Sequence, residues 1–334
     1  MNYGESPGGY YFNANDTGAY PCGSIEDGIF APAGSDCQTE NRDWDEPTYR
    51  LMLSNQFTDN VFGYASFTHG FKSGGFSDQA GSAPVTDPMG NLVPLSARNY
   101  EPEEADSFEV GLKWDFWDNR ARLNTAVFYV EYTDMQRAFL ITTAAGLQET
   151  IVSNAAEVPA YGFELEGSFL FSEKWTGRFN IGYIDAEYDK FLVDTNFDGT
   201  LDTDFSGRDV TRTPEWQAGA DITYDTQLGS IGSLRAQASV YYQDENTFYY
   251  AAFAPGLDIP GTDMSQFDTE IESYTTFDAF VTYTHSSDKW YFSIYGKNLT
   301  DETYHAATQY VGGLWTHAQY APPATYGAEI GITL

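Results

Sequence analysis

Hydrophobic and polar residues alternate along most of this chain, most strictly between Ser107 and Phe116. Phe108, Val110, Leu112, Trp114 and Phe116 fall on one side; Ser107, Glu109, Gly111, Lys113 and Asp115 fall on the other. A side-chain period of two predicts a strand with one apolar and one polar face. Asp118-Asn119 reads as a tight turn, after which a second long run, 120–134, returns beside the first. Strands of soluble sandwiches usually end after about five or six residues. Two longer strands joined by a tight turn fit a transmembrane β-barrel better, where about ten tilted residues cross the bilayer.

The pattern recurs along the chain. Tyr49, Leu51, Leu53 and Phe57 share one face of a strand that turns at Thr58-Asp59-Asn60 into 61–71, and 72–99 reads as a long loop. Tyr161, Phe163, Leu165, Phe169 and Phe171 alternate with Gly162, Glu164, Glu166 and Ser168, and a turn at Glu173-Lys174 leads into 175–189. Alternating runs follow at 215–224, 234–242, 275–285, 290–298 and 325–334, making about eleven strands in all. Short turns gather at one end and long loops at the other, the asymmetry of an outer-membrane barrel with periplasmic turns and extracellular loops. The predicted class is therefore all-β, a transmembrane antiparallel β-barrel in a bacterial outer membrane, in contact with its lipid and lipopolysaccharide. An odd strand count leaves an open edge whose backbone groups lipid cannot satisfy. The expectation is half of a larger barrel, spanning 48–334, preceded by an extracellular loop segment over 1–47 that is rich in Gly, Pro, Asn and Asp.

Composition sharpens this picture. Aromatic residues make up 17% of the chain, enough for girdles at both membrane interfaces. Mean hydropathy of -0.42 and the lack of a long apolar run exclude a helical span but not a barrel, because only alternate residues face lipid. The net charge of -33 makes nucleic acid an unsuitable partner. Much of the acid lies in 185–209 and 258–272, either as solvated loops or as an attractor of cations. Cys22 and Cys37 are the only cysteines; in an oxidising compartment they are expected to close a loop disulfide, and their spacing matches no zinc site. Residues 2–16 have neither the basic start nor the apolar core of a secretory signal, so either the mature chain begins here or the front of the protein lies upstream.

The sequence holds no catalytic set, so an enzyme is not expected and no cofactor is required. His69, His285, His305 and His317 are scattered, and His285-Ser286 reads as a turn. Asp194, Asn196, Asp198 and Asp202 fit positions one, three, five and nine of a calcium loop, with Gly199 at its sharp turn. Phe205 stands where the bidentate Glu belongs, so a Ca2+ site and a metal-free acidic loop both stay open. Asn15-Asp16-Thr17 and Asn298-Leu299-Thr300 match the glycosylation sequon only formally.

Several stretches together resemble the C-terminal part of the barrel of a TonB-dependent outer-membrane receptor. Residues 64–76, YASFTHGFKSGGF, are similar to the family's strand ending in G-F-[RK]-x-G-G-F. Residues 100–136 resemble its Y-x-P-E…G-x-K…N-R-x-x-L-N…D-M-Q hairpin, and 160–166, AYGFELE, its G-[FV]-E-x-E strand opening. GKNLTDETY at 296–304 matches its N-L-x-D-x-x-Y box, and 326–334 its final strand, although Leu334 replaces the usual Phe or Trp. The resemblance implies half of a 22-stranded barrel around an N-terminal plug, with the plug and N-terminal half-barrel missing from this sequence. It implies import of a scarce ligand, with an iron-chelate (ferric siderophore) as the default, energised by TonB through the plug. Loop aromatics and histidines, namely Tyr249, Tyr250, His305, Tyr310, Trp315 and His317, are the candidate ligand contacts this implies; loops folded on their own aromatics are the alternative. A passive porin, a structural barrel, a half-barrel remnant that does not transport and a secreted β-rich binding module are the competing functional readings.

Overall fold

Strands form where the alternation predicts them. The computed structural model describes residues 43–76, 99–142, 148–193, 203–250, 269–311 and 315–333, with short strand segments at 10–13, 19–21 and 37–38. Eleven long strands form one continuous sheet: β1 (Tyr49–Thr58), β2 (Val61–Lys72), β3 (Glu103–Phe116), β4 (Ala121–Thr142), β5 (Gln148–Ser172), β6 (Trp175–Ala186), β7 (Trp216–Gln227), β8 (Gly232–Gln243), β9 (Tyr274–His285), β10 (Trp290–Lys297) and β11 (Thr325–Ile332). Each pairs antiparallel with the next, so the sheet is an uninterrupted meander. No helix among the described residues is long and apolar enough to cross a membrane.

The register keeps one face common to all eleven strands. Phe108 stands opposite Phe67 and Tyr129, and Val110 opposite Ala65 and Val127. The same parity carries through Phe163, Ile181, Ala218, Val240, Phe277, Ile294 and Ala328. This apolar face is solvent-accessible in the isolated chain: Leu53 is 76% exposed, Val110 57% and Ile330 66%. Only lipid could cover it along its whole extent. Aromatic pairs border it at both ends, Trp175 against Tyr224 at 4.7 Å near the short turns and Tyr183 against Trp216 at 4.7 Å near the long loops. Trp175 and Tyr183 lie on the same strand, separated by roughly 25 Å before tilt at about 3.3 Å per residue, which matches the apolar band of such barrels.

The opposite face is polar and self-paired. Arg122 meets Asp115 at 2.6 Å, Arg178 meets Asp221 at 3.0 Å and Arg235 meets Asp225 at 2.8 Å, each across a register pair. Such exposed pairs are worth at most about 1 kcal/mol each, so they select register more than they stabilise. Glycine admits large rings on this face: Tyr64 lies where a Cβ on Gly111 would be, and Tyr291 does the same at Gly331.

Four sequence expectations change. The turn after β3 is Trp117–Arg120 rather than two residues, because Trp117, Asp118 and Asn119 all take left-handed φ of 62°, 54° and 62°. β6 stops at Ala186, short of 189. β4 runs on to Thr142 and β5 begins at Gln148, well before Tyr161, because bulges near Asp134 (φ 52°) and Ala155 shift the facing parity and erase the alternation. Within 1–47, three short strands, Tyr10–Asn13, Ala19–Pro21 and Cys37–Gln38, pair among themselves; they are too brief to show a period.

The motif stretches meet at the long-loop end as hydrogen-bonded clamps. Asn154 donates to the Glu101 and Asp134 carbonyls at 2.8 Å and accepts from the Glu101 N–H. Gln136 donates to the Ser73 and Glu101 carbonyls at 3.0 and 3.1 Å. Near the chain's end, buried Asn298 donates to the Glu302 and Pro322 carbonyls, and Asp301 accepts from the Ala324 N–H. This second brace fixes where the chain enters β11.

Adjacent residues on β8 test the facing. Ala238 points outward between Ile222 and Ala279, while Ser239 points inward between Asp221 and Asp278. In the complete barrel, Ala238→Arg is expected to lose about 2–4 kcal/mol near mid-bilayer, whereas Ser239→Arg gains two acidic neighbours and folds normally. The folded fraction read from heat-modifiable gel mobility checks both; equal effects would refute the assigned facing.

Candidate functional site

Beyond the membrane band, β4 and β5 continue as a projecting hairpin, because 22 and 25 residues far exceed the about ten that cross. Past Ala186 the chain kinks and resumes pairing with β5 through Lys190–Val193, then doubles back at Thr203–Asp204. Apolar side chains at the base of this loop close a small core: Met135, Ala156 and Val158 from the hairpin, Tyr188, Phe191 and Phe205 from the loop, and Tyr250 from the next loop. The Tyr188 and Phe191 rings lie 4.6 Å apart, and Phe191 and Phe205 5.1 Å. The Phe205 N–H donates to the Phe191 carbonyl at 2.8 Å. The Asp204 carboxylate accepts from Ser206, whose hydroxyl and N–H hold it below the usual carboxylate range. Three extracellular-side loops are thus stapled into one rim.

The candidate ligand contacts separate on this rim. Tyr250 is 6% exposed, its hydroxyl donates to the Asp209 carbonyl at 2.9 Å, and the Arg208 guanidinium covers its ring at 5.1 Å. Burial raises its pKa. It serves as a seam between loops, and half-buried Tyr249 packs against the same core. His305 and His317 lie on the hairpin His305–Val311/Trp315–Tyr320, where His305 pairs with Tyr320, His317 pairs with Gln309, and a bulge follows His305. That register puts the two histidines on opposite faces. The His305 ring rests on Tyr320 at 4.7 Å, while His317 is exposed. Tyr310 and Trp315 belong to the same hairpin by backbone pairing, and their side chains lie outside the described residues.

Asp194, Asn196, Asp198 and Asp202 lie outside the described residues; Phe205, in the place of the twelfth calcium-loop ligand, is buried in the rim core. Cys37 pairs by backbone with Asn13, and Cys22 lies outside the described residues. Among the described residues, no group of three or more His, Cys, Asp or Glu could hold a metal ion.

Sequence reasoning missed an aromatic wall on the inward face beneath the rim. Tyr274 and Tyr304 stack at 3.8 Å with 10° between planes, and Tyr241 lies 6.1 Å from Tyr274. The Tyr241 hydroxyl donates to Gln217 Oε1 at 3.0 Å, and the Tyr274 hydroxyl to Gln243 Oε1 at 3.2 Å. The Asn298 brace delivers Tyr304 to this stack. A signal existed in the sequence: Tyr241 interrupts the polar set Arg235, Gln237, Ser239 and Gln243, where an aromatic has no core to enter. Such a wall offers flat apolar faces and amide groups to a bulky polar ligand.

A family model described as TonB dependent receptor-like, beta-barrel matches residues 13–299. The chain is 25% identical over 223 residues to the probable TonB-dependent siderophore receptor PiuA of Acinetobacter baumannii, covering 66% of this chain and 27% of that protein. It is 25% identical over 258 residues to the metal-pseudopaline receptor CntO of Pseudomonas aeruginosa, covering 77% and 30%. The crystal structure of the ferric yersiniabactin uptake receptor FyuA from Yersinia pestis superposes with a TM-score of 0.66 at 21% identity, covering 88% of this chain and 38% of that one. The chain therefore spans less than a third of the length of these two curated relatives.

Phe191→Ala empties the centre of the rim core and should lower the loop's local stability by about 3–5 kcal/mol. Faster protease nicking within 187–215, with β-strand content unchanged, would report this. Glu215 has its pKa raised, by burial first and then by Asp185, Asp209 and Asp244. A raised folded pKa means the stability it contributes is present in acid and lost as pH rises through that pKa. Glu215→Gln should therefore slow nicking at about pH 8 and change nothing below the ordinary carboxylate pKa of about 4.3.

Proposed function

We propose that this chain, which belongs to the TonB-dependent receptor-like β-barrel family, is the C-terminal half of the barrel of an outer-membrane receptor that binds a metal chelate at the cell surface and imports it. Family members are outer-membrane receptors and transporters rather than enzymes. A ferric siderophore is the first ligand class: the relatives named above are a siderophore receptor, a metal-pseudopaline receptor and a ferric yersiniabactin uptake receptor. The inward Tyr241–Tyr274–Tyr304 wall, beneath a rim stapled from three loops, is where the ligand is read.

The observation that carries this reading is the open sheet. Among the described residues β1 pairs only with β2 and β11 only with β10, and every residue of β1 is exposed. Eleven antiparallel strands put β1 and β11 in the same direction, both running toward the short turns. They cannot close on each other, or on a second copy, with antiparallel pairing. An odd number of further strands is required, supplied by the rest of the receptor, with a plug and its contact to TonB energising import. A passive porin needs the same closure but no energy.

Uptake of labelled ferric chelates by iron-starved cells carrying the full-length receptor tests the function. Import should stop on adding an uncoupler or deleting TonB. Continued uptake without either would leave a passive channel instead.

A further inference from the structure

Residues in register across β1 to β4 form outward-facing rows. Two of these rows are apolar: Leu53, Ala65, Val110 and Val127, and above them Leu51, Phe67, Phe108 and Tyr129. Ala65 is the smallest member of its row, and Leu51, Leu53, Phe67, Phe108 and Val110 surround it as a groove of about 420 Å³. That size falls within the about 300–1,000 Å³ of small-molecule sites. The next row toward the long loops is Tyr49, His69, Asp106 and Glu131. There the Tyr49 and His69 rings stack at 4.9 Å, and His69 Nδ1 lies 2.7 Å from Asp106 Oδ1. Asp106 and Glu131 stand directly opposite each other, an arrangement of like charges that weakens a strand pair. The Asp106 side chain is 46% exposed, Glu131 is exposed, and among the described residues Glu131 meets no cation. No lysine or arginine occupies an outward position on β1, β2 or β3.

The groove opens on the face that only lipid can cover, and completing the barrel adds a strand beside β1 without roofing it. Ala65 lies four residues from His69 on β2, roughly 13 Å along the strand at about 3.3 Å per residue. An acyl chain seated over Ala65 therefore brings its headgroup to the carboxylate row. The Phe67 and Phe108 rings, 4.5 Å apart, give the chain an apolar surface on the way. An anionic headgroup would face two carboxylates with no cation on these strands to offset them, whereas an ammonium headgroup would relieve their repulsion. We propose that this surface holds one phospholipid with an ammonium headgroup, its acyl chain over Ala65 and its ammonium between Asp106 and Glu131. Tyr49 and His69 close the side of that seat nearest the β1 edge. The seat lies on the lipid side of the sheet, away from the inward tyrosine wall, and is independent of the ligand imported.

The test titrates the purified full-length receptor in detergent with phosphatidylethanolamine or phosphatidylglycerol of matched chains, and weighs the intact complexes by native mass spectrometry. One phosphatidylethanolamine should be retained, about tenfold more tightly than phosphatidylglycerol, the worth of one charge-assisted contact. Asp106→Asn combined with Glu131→Gln should erase that preference. Ala65→Phe fills the groove and should abolish retention, while Ala238→Phe, on the same face at β8, should leave it unchanged. Heat-modifiable gel mobility checks that each variant folds; should Ala65→Phe fail to, the exposed carboxylate pair carries the test alone. Retention of neither lipid, or of phosphatidylglycerol as tightly as phosphatidylethanolamine, would overturn the proposal. So would a preference that survives loss of both carboxylates, or equal effects of the two phenylalanines.

Discussion

Every backbone N–H and C=O that enters hydrocarbon must find a partner within the protein, since lipid supplies none. That constraint shapes the whole molecule. It excludes irregular chain from the apolar band, so each crossing is a full strand, and β2 to β10 are paired on both sides. It makes alternation the dominant pattern, because one face meets lipid and the other the interior. It also makes the two unpaired edges, β1 and β11, the least satisfied parts of the chain, where Leu51, Leu53, Tyr326 and Ile330 all stand exposed. The cost of leaving those edges open exceeds anything the charged pairs of the polar face return.

Outside the bilayer the constraint relaxes, and the chain departs from regularity at once. Bulges near Asp134 and Ala155 turn the β4–β5 hairpin, and side chains take over the hydrogen bonding that ladders provide below. Asn154 and Gln136 tie Glu101 to the hairpin, and Asn298 and Asp301 tie the last loop to β11. Each clamp uses side-chain amides or carboxylates on backbone groups, which water would otherwise satisfy. Their effect is positional: they set where the loops leave the barrel, and hence where Tyr304 meets Tyr274.

What was legible in the sequence follows the same boundary. Within the band the facing of Phe108, Tyr161, Trp216 and Tyr326 could be read directly, because a two-residue period survives wherever lipid enforces it. The upper part of β5 could not be read: 148–160 has its faces shifted by bulges and carries small residues at 155–156 and 160. Candidate contacts are legible in the sequence only by residue type, and type does not distinguish Tyr250, which holds loops together, from Tyr241, which faces the interior. Their difference lies in contacts between loops distant in sequence. His305 and His317 share a loop, yet one bulge in their hairpin places them on opposite faces.

Charge completes the picture. A net charge of -33 repels anions only at short range, because surface charges more than about 8 Å away are largely screened at physiological ionic strength. The field a ligand meets inside the rim is therefore set by its nearest neighbours, not by the sum over the chain. On the rim, Arg137 and Arg212 lie over the Tyr188 and Phe248 rings rather than on carboxylates. An acidic chain and local guanidinium–ring contacts are thus compatible, the first keeping the surface solvated and the second acting only at contact.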